Sequence, residues 1–562
     1  MKTREDFEFL RKEMSRKASS QQHSAANPLK SVWVEASAGT GKTKVLSDRV
    51  LRLLLDGVKP QRILCLTYTK AAAVEMNTRI SERLSKWSVQ TDEKLEENLF
   101  ELLGKEMADT KLLLKYKNRA RTLFAVLLDT PGGIKIQTIH SFCQEVLKRF
   151  PLETGISPYF DILDDESSAD ALKQIQKELL ETTEYGADCP LKDALMFLTE
   201  NLSEYSFPKV MKNITINRSK LSEMFAMYPS QKDLLSKLAH SLQISMDDTE
   251  QTVISEFMKN INYDDLRKNV VALLNGGKKD SERAEKMEKF IIEKGNFNNY
   301  QDYKNLFLNK DGTIPQKLAD KKSISADSFL AERLGKECER ILQNEEKLCK
   351  IRLYQSTKSV LIITRELNLR YNNFKKLYSK LDYEDLILLT RHLLSDSAVA
   401  SWVLFKLDGG IDHILIDEAQ DTSPNQWDII KSLSEEFFAG KGTNDRKRTV
   451  FAVGDRKQSI YSFQGADPDK FDRMSAYFSE KAAPDFQKVN LEVSFRSVSP
   501  VLETVNKIFA KENVSEGVTA QGETVHHVPF RRGEAGKVEV WPLLVADKKS
   551  KSSEDDWLPP FE

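Results

Sequence analysis

The stretch VWVEASAGTGKTKVL, residues 32–46, decides the fold. It opens with a short apolar run, passes through Gly39 and Gly41, and continues into a segment that starts a helix. A strand entering a glycine-rich turn and then a helix places successive backbone N–H groups and the positive end of the helix dipole around one point, which suits a phosphate. The spacing is that of G-x-x-x-x-G-K-[ST], with Ala36 in the first position. In such a loop Ala36, Ser37, Ala38, Gly39, Thr40 and Gly41 form the cradle, Lys42 reaches the terminal phosphates, and the Thr43 hydroxyl holds Mg²⁺. A plain glycine turn after a strand is the other reading of these residues taken alone.

The bulk properties narrow the setting. A chain of 562 residues is long enough for about three or four domains with sizeable cores. Charged residues make up 30% and the net charge is -1, so there is no global basic field and any polyanion site must be local. No apolar run reaches the roughly 18 residues of a membrane span. The N-terminal MKTREDFEFLRKEM is too charged for a secretory signal. Cysteines at 65, 143, 189, 338 and 349 fit no metal spacing and read as reduced thiols, which suits a cytoplasmic protein.

Residues 1–30 read as a charged helix followed by a polar linker, SQQHSAANP, ending at Pro28. Strand–helix alternation follows: SVWVEA, then KTKVLSDRVLRLLLDG with Leu46, Val50, Leu53 and Leu54 on one helical face, then RILCLTYT and KAAAVEMNTRISERL. The pattern predicts an α/β motor domain over 31–150, interrupted by an α-helical insertion over 151–378, where ADALKQIQKELLETT is representative. The motor resumes over 379–484, and a partial second domain starts at 485. KKSKSSEDD near the C-terminus is low in apolar content and reads as a loop.

The later strand ends supply the groups a phosphate loop needs. In ILIDEAQDT a buried strand ends at Asp417 and Glu418; the first carboxylate can hold Mg²⁺ and the second can deprotonate a water. An acidic helix N-terminus is the alternative for these two residues in isolation. In FAVGDRKQSIYSFQGADP a third strand end is followed by Gln458, placed to feel a γ-phosphate, with Tyr461 and Phe463 beyond it. Taken alone, those aromatics read as core. LEVSFRS carries Arg496, a candidate arginine finger, and Phe495, able to stack on a base.

Taken together, ASAGTGKT, LTYTKAAAVEMNTRI, TIHSF, DYEDLI, LIDEAQDT, VGDRKQSIYSFQGA and LEVSFRS resemble the UvrD/Rep-like superfamily 1 helicases. The likeness is greatest to the helicase–nuclease subunits of the AddA type, on ASAGTGKT, the long helical insertion, and SFQGADP followed by HHVPFRR and GKVEVWP. The resemblance implies a RecA-like P-loop motor split by the insertion, with a second RecA-like domain beginning after it. It implies ATP and Mg²⁺ as cofactors, with Gln22 reading adenine, Phe495 stacking on it, Thr43 and Asp417 on the metal, Glu418 as base, Gln458 as γ-phosphate sensor and Arg496 on the γ-phosphate. It assigns DNA contacts to Tyr68, Thr69, Thr138, His140, Ser141, Tyr461 and Phe463. The implied activity is ATP-driven 3′→5′ movement on single-stranded DNA in double-strand-break repair. The implied partners are duplex DNA ends and a nuclease subunit of the AddB type, with no membrane.

Two departures stand out: Gln464 where many relatives have Arg, and Ser494 where Asn is common. None of the family's later motifs follows, so the chain tested alone is expected to bind nucleotide yet be a very poor ATPase. A stand-alone UvrD-type repair helicase, and an ATP- and DNA-binding remnant without enzymatic activity, remain alternatives at this level.

Overall fold

The computed structural model describes residues 4–104, 110–183, 190–293, 297–396, 398–408, 410–438, 446–462, 465–518 and 524–544. The chain divides into two compact units, one made of residues 1–162 with 381–562 and the other of residues 163–380.

The first unit is built on a six-stranded sheet. Its strands are β1 (Ser31–Ala36), β2 (Ile63–Thr67), β3 (Lys135–Thr138), β6 (His413–Ile416), β7 (Thr449–Gly454) and β8 (Phe486–Leu491), in the order β3-β2-β6-β7-β1-β8. Two short strands, β4 (Asp161–Leu163) and β5 (Lys380–Asp382), come between β3 and β6 in the sequence. Every pairing in the large sheet is parallel. Parallel strands covered on both faces must be apolar on both, which is why ILCLT, HILI and TVFAVG are nearly continuous apolar runs.

Alternation along each strand assigns the faces. Val32, Val34, Ile63, Cys65, Leu415 and Phe451 pack with α2 (Lys42–Leu55), α3 (Lys70–Val89), α4 (Asp92–Leu103) and α5 (Thr110–Leu128). Trp33, Leu64, Leu66, Ile414 and Ile416 pack on the opposite side with α6 (Ile139–Arg149) and the helices Pro424–Glu435 and Pro468–Lys481. There the Trp33 ring lies 4.7 Å from Phe471 and 5.8 Å from Trp427. With both faces covered, the open region is the edge where the carboxyl ends of the strands emerge, the usual ligand position of such sheets.

Helix α2 departs from the one-faced helix expected of it. It is buried from Val45 to Leu55, with Asp48, Arg49 and Arg52 enclosed among the apolar residues. Asp48 accepts from Lys44 at 3.0 Å and from Arg83 at 2.5 Å. Arg49 has no carboxylate partner among the described residues. Its guanidinium donates to the carbonyls of Asn27 (2.5 Å) and Lys30 (2.6 Å) and to Thr449 Oγ1 (3.0 Å), with the Phe451 ring 5.0 Å away. Burial, then Arg52, pushes its pKa down to about 9.

The same contacts correct the expected linker at Ser20–Pro28. Helix α1 runs from Arg4 to Ala25, and Ala25 and Ala26 are fully buried. The segment is polar in composition, but Arg49 satisfies the carbonyls at its end, so it docks instead of swinging free.

Between β4 and β5 every described element is helical, ending in the 48-residue helix Leu330–Leu377. This unit has apolar cores of its own, one around Phe257, Tyr303, Leu334 and Ile341 and another around Leu179, Leu195, Ile363 and Tyr371. Its bounds are 163–380 where 151–378 was expected, because residues 151–162 stay with the sheet unit. The expected start of a second domain at 485 is also corrected. Strand β8 pairs with β1 from Ser31↔Phe486 to Ala36↔Leu491 and completes the first sheet. After it, β9 (Val493–Val498) pairs with β10 (Val528–Arg531). KKSKSSEDD and Cys189 lie outside the described residues. Of the other cysteines, Cys65, Cys143 and Cys338 are buried free thiols and Cys349 is exposed. Among the described residues, no helix is long and apolar enough to cross a membrane.

Arg49→Met is expected to destabilise the protein by about 2–4 kcal/mol, because two carbonyls and a hydroxyl lose their donor inside the core. The check is a urea titration. An unchanged midpoint at unchanged slope would mean that the guanidinium contributes nothing to docking residues 25–30.

Candidate nucleotide-binding site and DNA interface

The turn after β1 is shaped by two glycines in the left-handed region, Gly39 at φ +76° and Gly41 at φ +94°. A side chain at Gly39 would lie 2.4 Å from Arg496 Cβ, and one at Gly41 would lie 3.0 Å from Gln22 Nε2. Both positions are thus fixed by conformation and by close approach. The Thr40 hydroxyl donates to the Ser37 carbonyl at 2.8 Å, tying the loop across its base. Gln22 Nε2 donates to the Thr40 carbonyl at 3.3 Å, which brings α1 to the loop. From the other side the Ser494 hydroxyl donates to the Ala38 carbonyl at 3.0 Å and the Phe495 N–H to the Gly39 carbonyl at 2.8 Å. Ser494, noted as a departure from the common Asn, keeps a donor on the loop.

Lys42 and Thr43 open α2. Lys42 Nζ donates to Glu418 Oε2 at 2.7 Å and to Gln458 Oε1 at 3.2 Å. The ends of β1, β6 and β7 therefore meet on one ammonium group. The Asp417 N–H donates to the Leu66 carbonyl at 2.9 Å, continuing the ladder to β2 and fixing the carboxylate at the strand end. Glu418 follows at φ +48°, a strained conformation for a residue with a side chain, of the kind that collects at functional sites.

The carboxylates are crowded. Burial first, then the Glu418 charge, pushes Asp417 up to about 6, and the same two causes in the same order push Asp421 up to about 6. Such a pair calls for a cation. The donor set fits ATP with Mg²⁺: left-handed glycines that leave a cradle free of side chains, a lysine at its mouth, a threonine at the helix start, and a half-buried aspartate beside a glutamate. Among the described residues, no group of three or more His, Cys, Asp and Glu forms a self-sufficient metal cage.

Four neighbours were not singled out from the sequence. Gln420, almost fully buried, donates from Nε2 to Glu418 Oε2 and to Asp421 Oδ2, both at 2.9 Å, and its Oε1 accepts from the Asp455 N–H at 2.9 Å. Asp455 in turn accepts from Gln458 Nε2 at 2.8 Å and pairs with Lys457 at 2.8 Å. Only the proximity of these residues to Glu418 and Gln458 in the chain could have pointed to them.

The expected DNA contacts occupy the same edge of the sheet. The Tyr68 and Tyr461 rings lie 4.6 Å apart, tilted by 39°. Burial, then Asp421 and Tyr461, pushes the Tyr68 hydroxyl up to about 12, so it stays neutral. Thr69 and Thr138 are N-caps of α3 and α6, accepting from Ala72 N–H and Ser141 N–H. Their hydroxyls are already used, and what they expose is a helix N-terminus, a phosphate-favouring feature. His140 packs edge-on against Tyr383 at 5.4 Å. Phe463 and Gln464 lie outside the described residues. Phe495 is partly exposed and packs on Phe530 at 4.9 Å, with Arg496 exposed beside it.

A parallel sheet whose β1 feeds a left-handed glycine turn with a lysine, opposed by Asp-Glu and Gln from two other strand ends, defines a P-loop nucleotide-binding domain. The chain belongs to the UvrD/Rep helicase family: the model of the UvrD/REP helicase N-terminal domain matches residues 18–479. It is similar to proteins whose name makes them the A component of an ATP-dependent helicase/nuclease. Those of Lactobacillus johnsonii and Lactobacillus acidophilus are 28% and 27% identical over 88% and 85% of this chain, covering 40% and 38% of their own lengths. That of Acetivibrio thermocellus is 27% identical over 89% of the chain and 41% of its own length. The chain thus spans about two-fifths of these curated relatives.

Asp417→Asn should make the nucleotide-free protein more stable at neutral pH. With a native pKa near 6 against an ordinary 3.8, the acid's stabilising contribution is complete below 3.8 and lost as pH rises through 6. The neutral amide escapes that loss. Thermal unfolding across this range should show the variant's advantage growing from pH 3.8 to about 6 and levelling off above it; a pH-independent difference would mean that the aspartate is not strained by its surroundings.

Proposed function

We propose that this chain carries the ATP-hydrolysing motor of a DNA helicase–nuclease component of the A type. The observation behind the reading is the meeting of Lys42, Glu418 and Gln458 at the mouth of the glycine loop. In this reading Ala36 through Gly41 present backbone N–H groups to the phosphates, and Lys42 exchanges its bond to Glu418 for a phosphate oxygen. Thr43 and Asp417 hold Mg²⁺, which draws charge from the phosphate oxygens. Glu418, released from Lys42, accepts the proton of the attacking water, and Gln458 orients the γ-phosphate side. Gln22 reads the adenine edge while Phe495 stacks on the ring. Arg496 neutralises charge that develops as the phosphate leaves, and it belongs to a second RecA-like domain beginning at β9.

The substrate track is single-stranded DNA. Tyr68, Tyr461 and Phe463 give π-faces for unstacked bases, worth roughly 1–3 kcal/mol per base and indifferent to sequence. Thr69, Thr138, His140 and Ser141 face the phosphate backbone at helix starts. This local groove suits a chain of net charge -1. We assign 3′→5′ movement, entry at duplex ends, action in double-strand-break repair in the cytoplasm, and pairing with a nuclease subunit of the AddB type. The relatives' name, which joins helicase and nuclease in one assembly, supports that set.

The test is binding of a fluorescent ATP analogue, followed by single-turnover hydrolysis with oligothymidylate present. Lys42→Ala should lose tight nucleotide binding with its unfolding transition unchanged. Glu418→Gln should bind as the parent does and hydrolyse about 10²–10⁴-fold more slowly. Equal nucleotide affinity in the parent and Lys42→Ala would sink the proposal.

A further inference from the structure

The aromatic pair and the catalytic carboxylate are joined by one short polar chain. Starting from the nucleotide side, Glu418 Oε2 accepts from both Lys42 Nζ and Gln420 Nε2. The same Gln420 nitrogen donates to Asp421 Oδ2 at 2.9 Å, so both of its protons are committed, one to each carboxylate. The Ile460 N–H favours the charged form of Asp421, and the next residue is Tyr461, whose ring meets Tyr68 at 4.6 Å. The Ser459 hydroxyl reaches the Gln420 carbonyl at 3.4 Å, fastening the same loop from behind. On the third side Gln420 Oε1 takes the Asp455 N–H, and Asp455 holds Gln458.

Several features set this glutamine apart from ordinary core polar groups. It is 1% exposed, and a side chain at Gly454 would come within 2.7 Å of its Oε1, so it cannot change rotamer without moving the end of β7. It separates two carboxylates that repel each other, and Asp421 Oδ1 is buried without a hydrogen-bond partner. A displacement of Asp421 therefore changes what Gln420 can give to Glu418. A base inserted between Tyr68 and Tyr461 must part rings now in contact and push on the segment that carries Ile460 and Ser459.

We propose that Gln420 is the positioning residue that links base insertion at Tyr68 and Tyr461 to the orientation of Glu418, with Asp421 as the relay on the DNA side. This rests on the nucleotide and DNA reading above and adds the physical connection between the two sites. The amide acts as a two-proton clamp: when Asp421 moves with the aromatic pair, the clamp turns and Glu418 is re-aimed. Because linkage is reciprocal, nucleotide at the loop must alter DNA affinity by the same factor.

The experiment measures that factor in the full chain. Fluorescent oligothymidylate is titrated with and without a non-hydrolysable ATP analogue plus Mg²⁺, and the analogue is titrated with and without DNA. The parent is expected to show coupling of about 5-fold or more, within the usual 5–150-fold range. Gln420→Met should bring it to about one while each ligand alone binds within about twofold of the parent. A merely structural glutamine would weaken both ligands and leave the ratio intact, and that result overturns the proposal. Asp421→Ala is the second variant: it leaves the Gln420–Glu418 bond in place, and it must also abolish coupling even if Gln420→Met does not fold. Retained coupling in Asp421→Ala, or a parent that binds both ligands without coupling, overturns the inference alone. A parent that binds neither ligand overturns the proposed function and the inference with it.

Discussion

An ammonium group must be neutralised wherever it is held, and the position of Lys42 turns that requirement into architecture. Its partners come from strand ends far apart in the sequence, Glu418 after β6 and Gln458 after β7. They can meet it only if β1, β6 and β7 lie side by side, in parallel and in register. The sheet order β6-β7-β1 supplies that, and the apolar layers on both faces hold it. The site is thus a property of the sheet edge. The strain gathered there, a left-handed glutamate and carboxylates with raised pKa, is borne by packing elsewhere.

Much of this could be read in the sequence. Glycines at 39 and 41 are needed because the backbone there is left-handed, and a requirement of that kind shows as residue type. Buried parallel strands are apolar without interruption, so SVWVEA, ILCLT, HILI and TVFAVG were visible. Asp417, Glu418 and Gln458 stood at the ends of those runs.

What could not be read has a common cause. Residues 20–28 are polar and suggested a linker, yet they are docked because a buried arginine takes their carbonyls, and backbone acceptors leave no mark on composition. Strand β8, FQKVNL, is an edge strand half open to solvent and lacks the apolar run of its neighbours, so the chain after Asp485 looked like a new beginning. Gln420 was hidden because its importance lies in three partners whose convergence only the fold creates. Thr69 and Thr138 show the reverse: their capping hydroxyls would be placed where they are even without a ligand.

The pairing of β1 sets an order of events during synthesis. Its two neighbours in the sheet are β7 and β8, so residue 32 meets residue 451 and residue 31 meets residue 486. At elongation rates of roughly 5–20 residues per second, the ribosome needs about 20–90 s to deliver those partners after β1 has emerged. In that interval the helical unit, with cores of its own, can fold completely. The strand that carries the glycine loop meanwhile has both hydrogen-bonding edges open and Trp33 without Phe471 or Trp427. The central strand of the motor is therefore among the first segments made and among the last to find its place. The nascent chain's exposure to chaperones and to mispairing is concentrated on the six residues that lead into the nucleotide site.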